Sequence, residues 1–463
     1  MKSEKERMST LGALLLLFSG ILILFPLQLY PEFGIGLLAL LIIFVMVTRL
    51  TWGMYLVSAV SFFHGWEIAF ANQDWAKNIW YLASLNAPLV DFIAVFVVGV
   101  LSLAIAFRLH PVSKKDLDTL KWPTIGYSLF LLSALVSVRF AYDHEVMWSL
   151  KYFFRALVFV YLMFVIAPVL LIETKEILLQ TLRIWFWVGI IIAVFGLTSL
   201  FVVSATGLPH VTPYGIGSFA PLGYNHNLLA EALVAIIPIG VFFSFRSKVD
   251  KLYLWGTFLM IFVALLTLSR AAWIAIAFEC ALGIGLFYQQ FRLWLRRQPP
   301  VVFPAIVIGL TVILYFGVFL LSRATNSSTE ARLDMTRIVL FYAADSPFIG
   351  YGPGMYTEIF ANTALYRLEY GDVLDAHGFI QKILLEEGMI GLMFFCFAIA
   401  LIARQVFRSF QTSNSSDALL YAMLFAMILG QAFFQIFNTS YFNSVLWLPL
   451  GVALAATKFS RET

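Results

Sequence analysis

Arg270 stands in Thr267-Leu-Ser-Arg-Ala-Ala-Trp273, the single charge between two apolar runs that together exceed one membrane span. An arginine beside hydrocarbon is costly, so it marks a functional position by default. Its guanidinium can grip phosphate oxygens in a bidentate fashion and keeps its proton. The bland alternative is a hairpin arginine that snorkels to the interface. His377, in Leu374-Asp-Ala-His-Gly-Phe-Ile-Gln381, has a side chain suited to accept a proton near neutral pH, and Asp375 could orient it. A lone histidine is also commonly structural. Arg332 and Arg337 are five residues apart on one predicted helix. That spacing separates them by roughly 140° around the axis, so they need not touch the same ligand. Lys151 and Arg155 are four apart and share a face. They could add to an anion site or pair with Asp143 or Glu145.

Other positions carry weaker signals. Tyr224-Asn-His-Asn227 opens an apolar run. Asn225 and Asn227 are good helix caps, and His226 is either a second base or a helix-start residue. Glu279 lies near the middle of a span and suits a proton relay or a neutral hydrogen-bonded acid. Glu67, Asp91 and Glu231 fall nearer span ends. The chain contains no Walker A loop, no G-x-G-x-x-G opening a helix, no H-E-x-x-H and no cysteine pair at metal spacing. No paired carboxylates of the kind that hold a divalent metal in many sugar transferases occur either. The expected chemistry is metal-independent and without a cofactor. Cys280 and Cys396 both lie in apolar runs and are expected to be buried thiols outside any disulfide framework.

These residues sit in a chain that lipid must solvate. Of 463 residues, 61% are hydrophobic and only 12% charged, too few to cover a soluble surface. A cytosolic enzyme, a secreted domain and a nucleic-acid-binding module are thereby excluded, and the net charge of +4 is read as basic cytoplasmic loops. The basic Met1–Thr10 segment precedes an apolar run without a small-residue cleavage site, so an uncleaved first span is expected. Apolar runs of spanning length fall near 10–30, 33–49, 51–70, 88–108, 122–141, 149–172, 179–204, 224–245, 252–269, 270–290, 301–322, 387–408, 418–437 and 441–458. The tight pair 33–49 and 51–70 makes twelve to fourteen the range. The fold class is all-α, because only helices satisfy the backbone of such runs in lipid.

With both termini in the cytoplasm, twenty of the 30 Lys and Arg fall on the inner side, as the positive-inside rule prefers. The other ten are Lys77, Arg139, Lys151, Arg155, Arg270, Arg323, Arg332, Arg337, Arg367 and Lys382. Such an outward cluster suits an anionic ligand, though single members could snorkel or pair with acids such as Glu330 and Glu369. The expected organisation is a bundle over 1–322, a large outer loop over 323–386, and C-terminal helices over 387–463. Within the loop, Ala331–Ala344 reads as an amphipathic helix. The Gly- and Pro-rich turn from Asp345 to Gly354 follows, and a second helix begins near His377. A loop this long and this aromatic is expected to be functional rather than disordered.

Several of these segments together resemble the O-antigen ligase and polymerase family. Asn225-His-Asn-Leu-Leu-Ala-Glu-Ala is similar to its Asn-x-x-Ala segment, and Leu268-Ser-Arg-Ala-Ala-Trp273 to its Ser-Arg-Gly/Ala hairpin. Ala331-Arg-Leu with Ser346-Pro-Phe-Ile-Gly-Tyr-Gly-Pro-Gly-Met355 resembles its Arg…Pro-x-x-Gly-x-Gly-x-Gly loop. Asp375-Ala-His-Gly-Phe-Ile-Gln…Glu386-Glu-Gly-Met-Ile-Gly391 resembles its Ala-His-Asn-x-x-Leu…Glu-x-Gly-x-x-Gly segment. The likeness covers about 220–455 in order. Gly378 stands where the family often has Asn, and Thr336 where a Trp often follows the loop arginine.

The resemblance implies a transferase that moves a glycan from undecaprenyl diphosphate to an acceptor hydroxyl on the outer face of the bacterial inner membrane. Arg270 and Arg332 would hold the diphosphate, with Arg337, Arg155, Lys151 and Asn227 as further binding candidates. His377 would orient or deprotonate the acceptor, and attack from the opposite face would invert the anomeric centre. Gly352 and Gly354 would let the loop approach the donor closely and move. The partners implied are the lipid-linked donor, a lipid A-core or other glycan acceptor, and membrane lipid. Ligation to lipid A-core is preferred, with polymerisation of repeat units as the alternative. A transporter or flippase is a reading from another class, which Glu279 and the many spans would serve. It lacks visible internal symmetry, and the polar constellation lies away from the midplane. A membrane scaffold without chemistry is the remaining reading.

Overall fold

The computed structural model describes residues 50–63, 65–69, 86–202, 210–215, 220–246, 250–289, 292, 326–370, 376–438 and 442–460. The candidate spans 10–30, 33–49 and 301–322 lie outside them, as do the inner-loop bases of the first ten residues and Asp375. The described chain is helical apart from one antiparallel pair of short strands, Glu67–Ala69 and Asn86–Pro88. The helices are α1 (Thr51–Val60), α2 (Leu89–Ala106) and α3 (Lys114–Val138). Next come α4 (Val146–Leu171), α5 (Lys175–Val202), α6 (His226–Phe245), α7 (Lys251–Leu266) and α8 (Arg270–Leu286). After the loop helices come α13 (Gly388–Thr412), α14 (Ser415–Phe434) and α15 (Ser444–Ala456).

Six of these helices, α2, α4, α5, α6, α13 and α14 (extended through Phe437), are long and apolar enough to cross a bilayer, and the protein is a polytopic membrane protein. α7 and α15 are shorter apolar helices. The expected span at 51–70 is not formed. α1 stops at Val60, and the chain turns so that Gly65 N–H donates to Pro221 O at 3.0 Å. A side chain at Gly65 would collide with the Gly223 backbone, so the turn docks tightly on the entry to α6. Apolar character continues through the turn, which is why composition alone extended the helix.

Helix contacts use small residues as notches. Gly240 of α6 faces Thr257 of α7, and Gly189 of α5 faces Met260. α4 contains two π-helical stretches, Phe153–Val158 and Leu162–Ile166, in which N–H groups bond five residues back. Gly451 of α15 packs directly over Phe164 O in the second stretch. Both cysteines are free and exposed on the flanks of α8 and α13, a correction to the expected buried thiols. An apolar run does not distinguish a lipid-facing flank from a core-facing one.

One end of the bundle is pinned by charges. Lys175 bridges Asp417 at 2.6 Å, joining the starts of α5 and α14. Lys458 donates to Asp116 at 2.7 Å with both side chains nearly buried. Asp116 also completes a capping box with Ser113 at the start of α3. Lys458→Met leaves Asp116 buried beside an apolar chain. We expect a loss of about 3 kcal/mol, because breaking one half of a buried pair strands the other charge. A fall in the thermal midpoint of the purified protein, restored in part by Asp116→Asn on the same background, checks this.

The opposite end carries the loop. α9 (Asn326–Asp345), α10 (Tyr356–Asn362), α11 (Ala364–Tyr370) and α12 (Phe379–Glu386) form a cap with its own core. That core contains Met335, Val339, Tyr356, Phe360, Tyr366 and Leu385, all at most 1% exposed. The cap is fixed to the bundle at the α12–α13 junction. Ser137 at the end of α3 donates to Glu386 O at 2.5 Å, and Gly352 N–H donates to the same carbonyl at 2.8 Å. Tyr142 N–H donates to Tyr351 O at 3.0 Å. α10 and α11 occupy the interval between the expected turn and the His377 helix, where no helix was expected.

Candidate functional site

The start of α8 is held in one conformation by its neighbours. Leu268 takes a left-handed backbone (φ 57°), which sharpens the α7–α8 hairpin. Thr267 Oγ1 accepts from Ser269 N–H at 3.2 Å, and Trp273 Nε1 donates back to Leu265 O at 3.0 Å. Ser269 Oγ, 2% exposed as a residue, donates to Asn227 Oδ1 at 2.7 Å. Asn227 belongs to the first turn of α6, whose cap is Asn225: its Oδ1 accepts from Asn227 N–H at 2.9 Å. The hairpin that presents Arg270 is thus tied to the first turn of α6 across 42 residues of sequence.

Arg332 comes to the same place from the loop. It sits on α9, half-buried and close enough to Arg270 to feel its charge. Burial first, and then the Arg270 charge, push its guanidinium below the ordinary arginine range. Its Nε is buried and has no hydrogen-bond partner among the described residues. His226, at the start of α6, lies in the field of both Arg332 and His210, with the two imidazoles edge-on and their centroids 5.5 Å apart. The segment carrying His210 is strapped to the hairpin, since Val211 N–H donates to Leu266 O at 2.9 Å. Four cationic or imidazole side chains from three separate stretches therefore converge. Two guanidinium groups within each other's field, one with a buried donor unsatisfied among the described residues, have the chemistry that an anion with several oxygens requires.

His377 stands at the head of α12. It is half-buried just before the helix, and Gly378 beside it fits against Ile436 O, where any side chain would collide. One turn on, Gln381 Nε2 donates to Thr336 Oγ1 at 2.5 Å, and Thr336 Oγ1 donates to Arg332 O at 2.7 Å. This chain of contacts couples the His377 helix to the Arg332 helix. Thr336 and Gly378, the two departures from the family pattern, are thus both structural contacts here. Ile436 is flanked by another anchor: Glu231 of α6 accepts from Gln435 Nε2 at 2.5 Å and from Asn438 Nδ2 at 2.7 Å.

The remaining candidates lie elsewhere on the same end. Arg337 is 77% exposed and bridges Asp334 at 2.9 Å, on a different face of α9 from Arg332. Arg155 and Lys151 are exposed on α4, and Arg155 stands in the field of Asp91 of α2. Gly352 and Gly354 have φ of 97° and 79° and are fully buried. A Cβ on Gly352 would lie 2.8 Å from Ser149 Oγ, and one on Gly354 would lie 2.6 Å from Tyr152 Cγ. These glycines seat the loop on α4. Glu279 is buried on α8 against Gly430 of α14, with both carboxylate oxygens unpartnered among the described residues.

His210 carries no signal in the sequence. It belongs to no recognisable motif, and it meets His226 only because the α5–α6 connection folds back onto the hairpin. Lys382 is likewise unanticipated as a core residue: it is 3% exposed and its ammonium lies 4.9 Å from the Phe442 ring centroid and 5.6 Å from that of Tyr152.

The bond from Ser269 to Asn227 gives a direct prediction. Asn227→Ala strands a buried hydroxyl and frees the Arg270 hairpin. We expect a loss of about 1–2 kcal/mol. Asn227→Asp keeps an acceptor and should restore most of it; comparison of the two thermal midpoints checks this.

A polytopic membrane protein with a helical cap over one end is the class defined so far. Residues 255–396 match the family model described as O-antigen ligase. The matched stretch runs from α7 into α13 and contains Arg270, Arg332, Arg337, Gly352, Gly354 and His377. That stretch, about a third of the chain, is similar to the O-antigen ligase family, whose members are glycosyltransferase-like enzymes. No curated protein matches the chain.

Proposed function

We propose that this protein transfers a glycan from an undecaprenyl-diphosphate carrier to an acceptor hydroxyl at the outer face of the bacterial inner membrane. Lipid A-core is the acceptor this reading favours, which makes the protein an O-antigen ligase. The observation that carries it is the placement of Arg332 beside Arg270 with a buried donor still unsatisfied. Cations set side by side repel, and a polyanion between them turns that repulsion into binding. When the glycosidic bond to the carrier breaks, the diphosphate leaves as an anion, and both guanidinium groups can take up its growing charge.

His377 is the proposed base. It is half-buried and its helix is coupled to Arg332 through Gln381 and Thr336. It takes the proton of the acceptor hydroxyl as that oxygen bonds to the anomeric carbon on the face opposite the departing diphosphate, and the centre inverts. Arg337, Arg155 and Lys151, being exposed, are proposed to attract the donor rather than to touch its reacting phosphates. The polymerase reading uses the same machinery with a second lipid-linked glycan as acceptor.

The test is transfer in proteoliposomes supplied with an undecaprenyl-diphosphate oligosaccharide and lipid A-core, with EDTA present. Glycosylated lipid A-core from the wild type, reduced about 10²-fold in His377→Ala, supports the reading. Lengthened donor without glycosylated lipid A-core makes the protein a polymerase. Intact donor alongside folded protein overturns both.

A further inference from the structure

α9 has two apolar faces, and the cap uses only one. Met335, Val339 and Ala343 are buried in the core of the cap. Leu333, Leu340 and Phe341 are 53%, 57% and 68% exposed. With Arg337 they occupy positions i, i+4, i+7 and i+8, which form a single stripe on a helix. Scattered exposed leucines need no explanation, but a run of large apolar side chains along one helix face does.

The stripe leads into a surface that already belongs to the bilayer. α9 ends at Asp345, and the turn after it carries Phe348, 62% exposed. That turn is bonded to the first turn of α13: Met389 N–H donates to Pro347 O at 2.8 Å and Ile390 N–H to Phe348 O at 3.3 Å. α13 is a spanning helix, and Met389, Ile390 and Met393 are exposed at its head. Phe348 therefore sits where the lipid-facing side of α13 leaves the membrane, and the α9 stripe continues from it. Arg337 is the one cation in the stripe. Its long stem can lie along the apolar surface while the guanidinium reaches lipid phosphates.

We propose that α9 is an interfacial helix, laid with Leu333, Leu340, Phe341 and Phe348 on the bilayer surface at the cap end of the bundle. Helices of this kind sink their apolar side chains to the boundary between headgroups and acyl chains. On the proposed function, the consequence is that Arg332, next to Leu333 and turned toward Arg270, is held at headgroup depth. A phosphate carried on a lipid reaches that depth without leaving the membrane.

Nitroxide labels at Leu340→Cys and Phe341→Cys test this, in full-length protein carrying Cys280→Ala and Cys396→Ala and reconstituted in phosphatidylethanolamine–phosphatidylglycerol vesicles. Met393→Cys serves as the lipid reference and Glu358→Cys, exposed on α10, as the aqueous one. The expected result is a ratio of oxygen to nickel-chelate accessibility several-fold higher at 340 and 341 than at 358, approaching that at 393. A ratio like that at 358 places the stripe in water and overturns the proposal. Shielding from both reagents means that a second copy or another protein covers it, and overturns it equally. Leu333→Cys replaces either variant if that variant is not monodisperse. The labels report depth whatever the protein transfers. A lipid-facing stripe combined with full transfer by Arg332→Met thus defeats the functional reading and leaves the placement standing.

Discussion

Arg332→Met is expected to abolish most transfer while leaving the protein as stable as before or slightly more so. The two effects have one cause. Arg332 is half-buried, repelled by Arg270, and its Nε has no partner among the described residues. It therefore contributes little to folding, and an apolar chain of similar length removes both the repulsion and the unsatisfied donor. During transfer the same guanidinium faces the leaving diphosphate. Loss of a preorganised donor of this kind costs about 10²–10³-fold in rate, and a doubly charged leaving group places it at the upper end. Arg332→Lys should recover only part of this, because an ammonium keeps the charge but cannot grip two oxygens in a plane. The measurements are turnover of lipid-linked donor and the thermal midpoint, taken on the same preparations. Full turnover with a lowered midpoint would make Arg332 a structural residue and remove the anion cradle.

What the sequence could express was set by local chemistry. The spanning helices α2, α4, α5, α6, α13 and α14 follow their apolar runs closely, since lipid leaves the backbone no other arrangement. Arg270 is legible because a charge next to hydrocarbon is expensive and stands out by its cost, whereas Arg332 is singled out only by its place on the loop helix and by the family resemblance. Their meeting was not legible: α8 and α9 are separate elements, and nothing in 270–332 fixes the distance between them. The same limit hides His210 and His226. The stretch 51–70 was misjudged because an apolar turn and an apolar helix have the same composition, and the docking of Gly65 on Pro221 is a tertiary fact. The exposed Cys280 and Cys396 show the converse. In a membrane protein an apolar side chain is at home on either side of a helix, so burial cannot be read from hydropathy.

The glycine-rich turn has a structural role that its sequence does not express. Its residues suggested a loop that approaches a ligand and moves; in the structure it is the joint between cap and bundle. Glu386, fully buried, accepts through its backbone carbonyl from Ser137 Oγ and Gly352 N–H, and its carboxylate accepts from Tyr356 N–H at 3.1 Å. Gly352 N–H also donates to Ser137 Oγ at 2.9 Å. One residue thus ties the end of α3, the turn and the start of α10 to the head of α13. His377 and Arg332 both depend on that joint, because α12 ends in it and α9 runs into it.

Gly350→Ala is accordingly expected to be among the most damaging single substitutions outside the arginine cradle. Gly350 has φ of 76°, a left-handed conformation that costs an L-residue energy wherever it occurs. Its Cβ would also lie 2.5 Å from Glu386 O, 2.6 Å from Glu386 C and 2.7 Å from Gly388 N. All three are backbone atoms of the joint and cannot swing aside as a side-chain end could. Strain of about 1–3 kcal/mol from the dihedral and a similar amount from forced overpacking give an expected loss of about 4 kcal/mol. The cap should separate from the bundle before the bundle itself unfolds, since the two have distinct cores. Limited proteolysis should therefore cut within 346–378 in Gly350→Ala while the spanning helices stay intact, and transfer should be lost at temperatures where the wild type is active. Gly99→Ala is the control: no atom lies within 4 Å of its added Cβ, and both stability and transfer should be unchanged or slightly raised. A Gly350→Ala protein that resists proteolysis but has lost transfer would return the glycine to the role of a ligand-approaching loop.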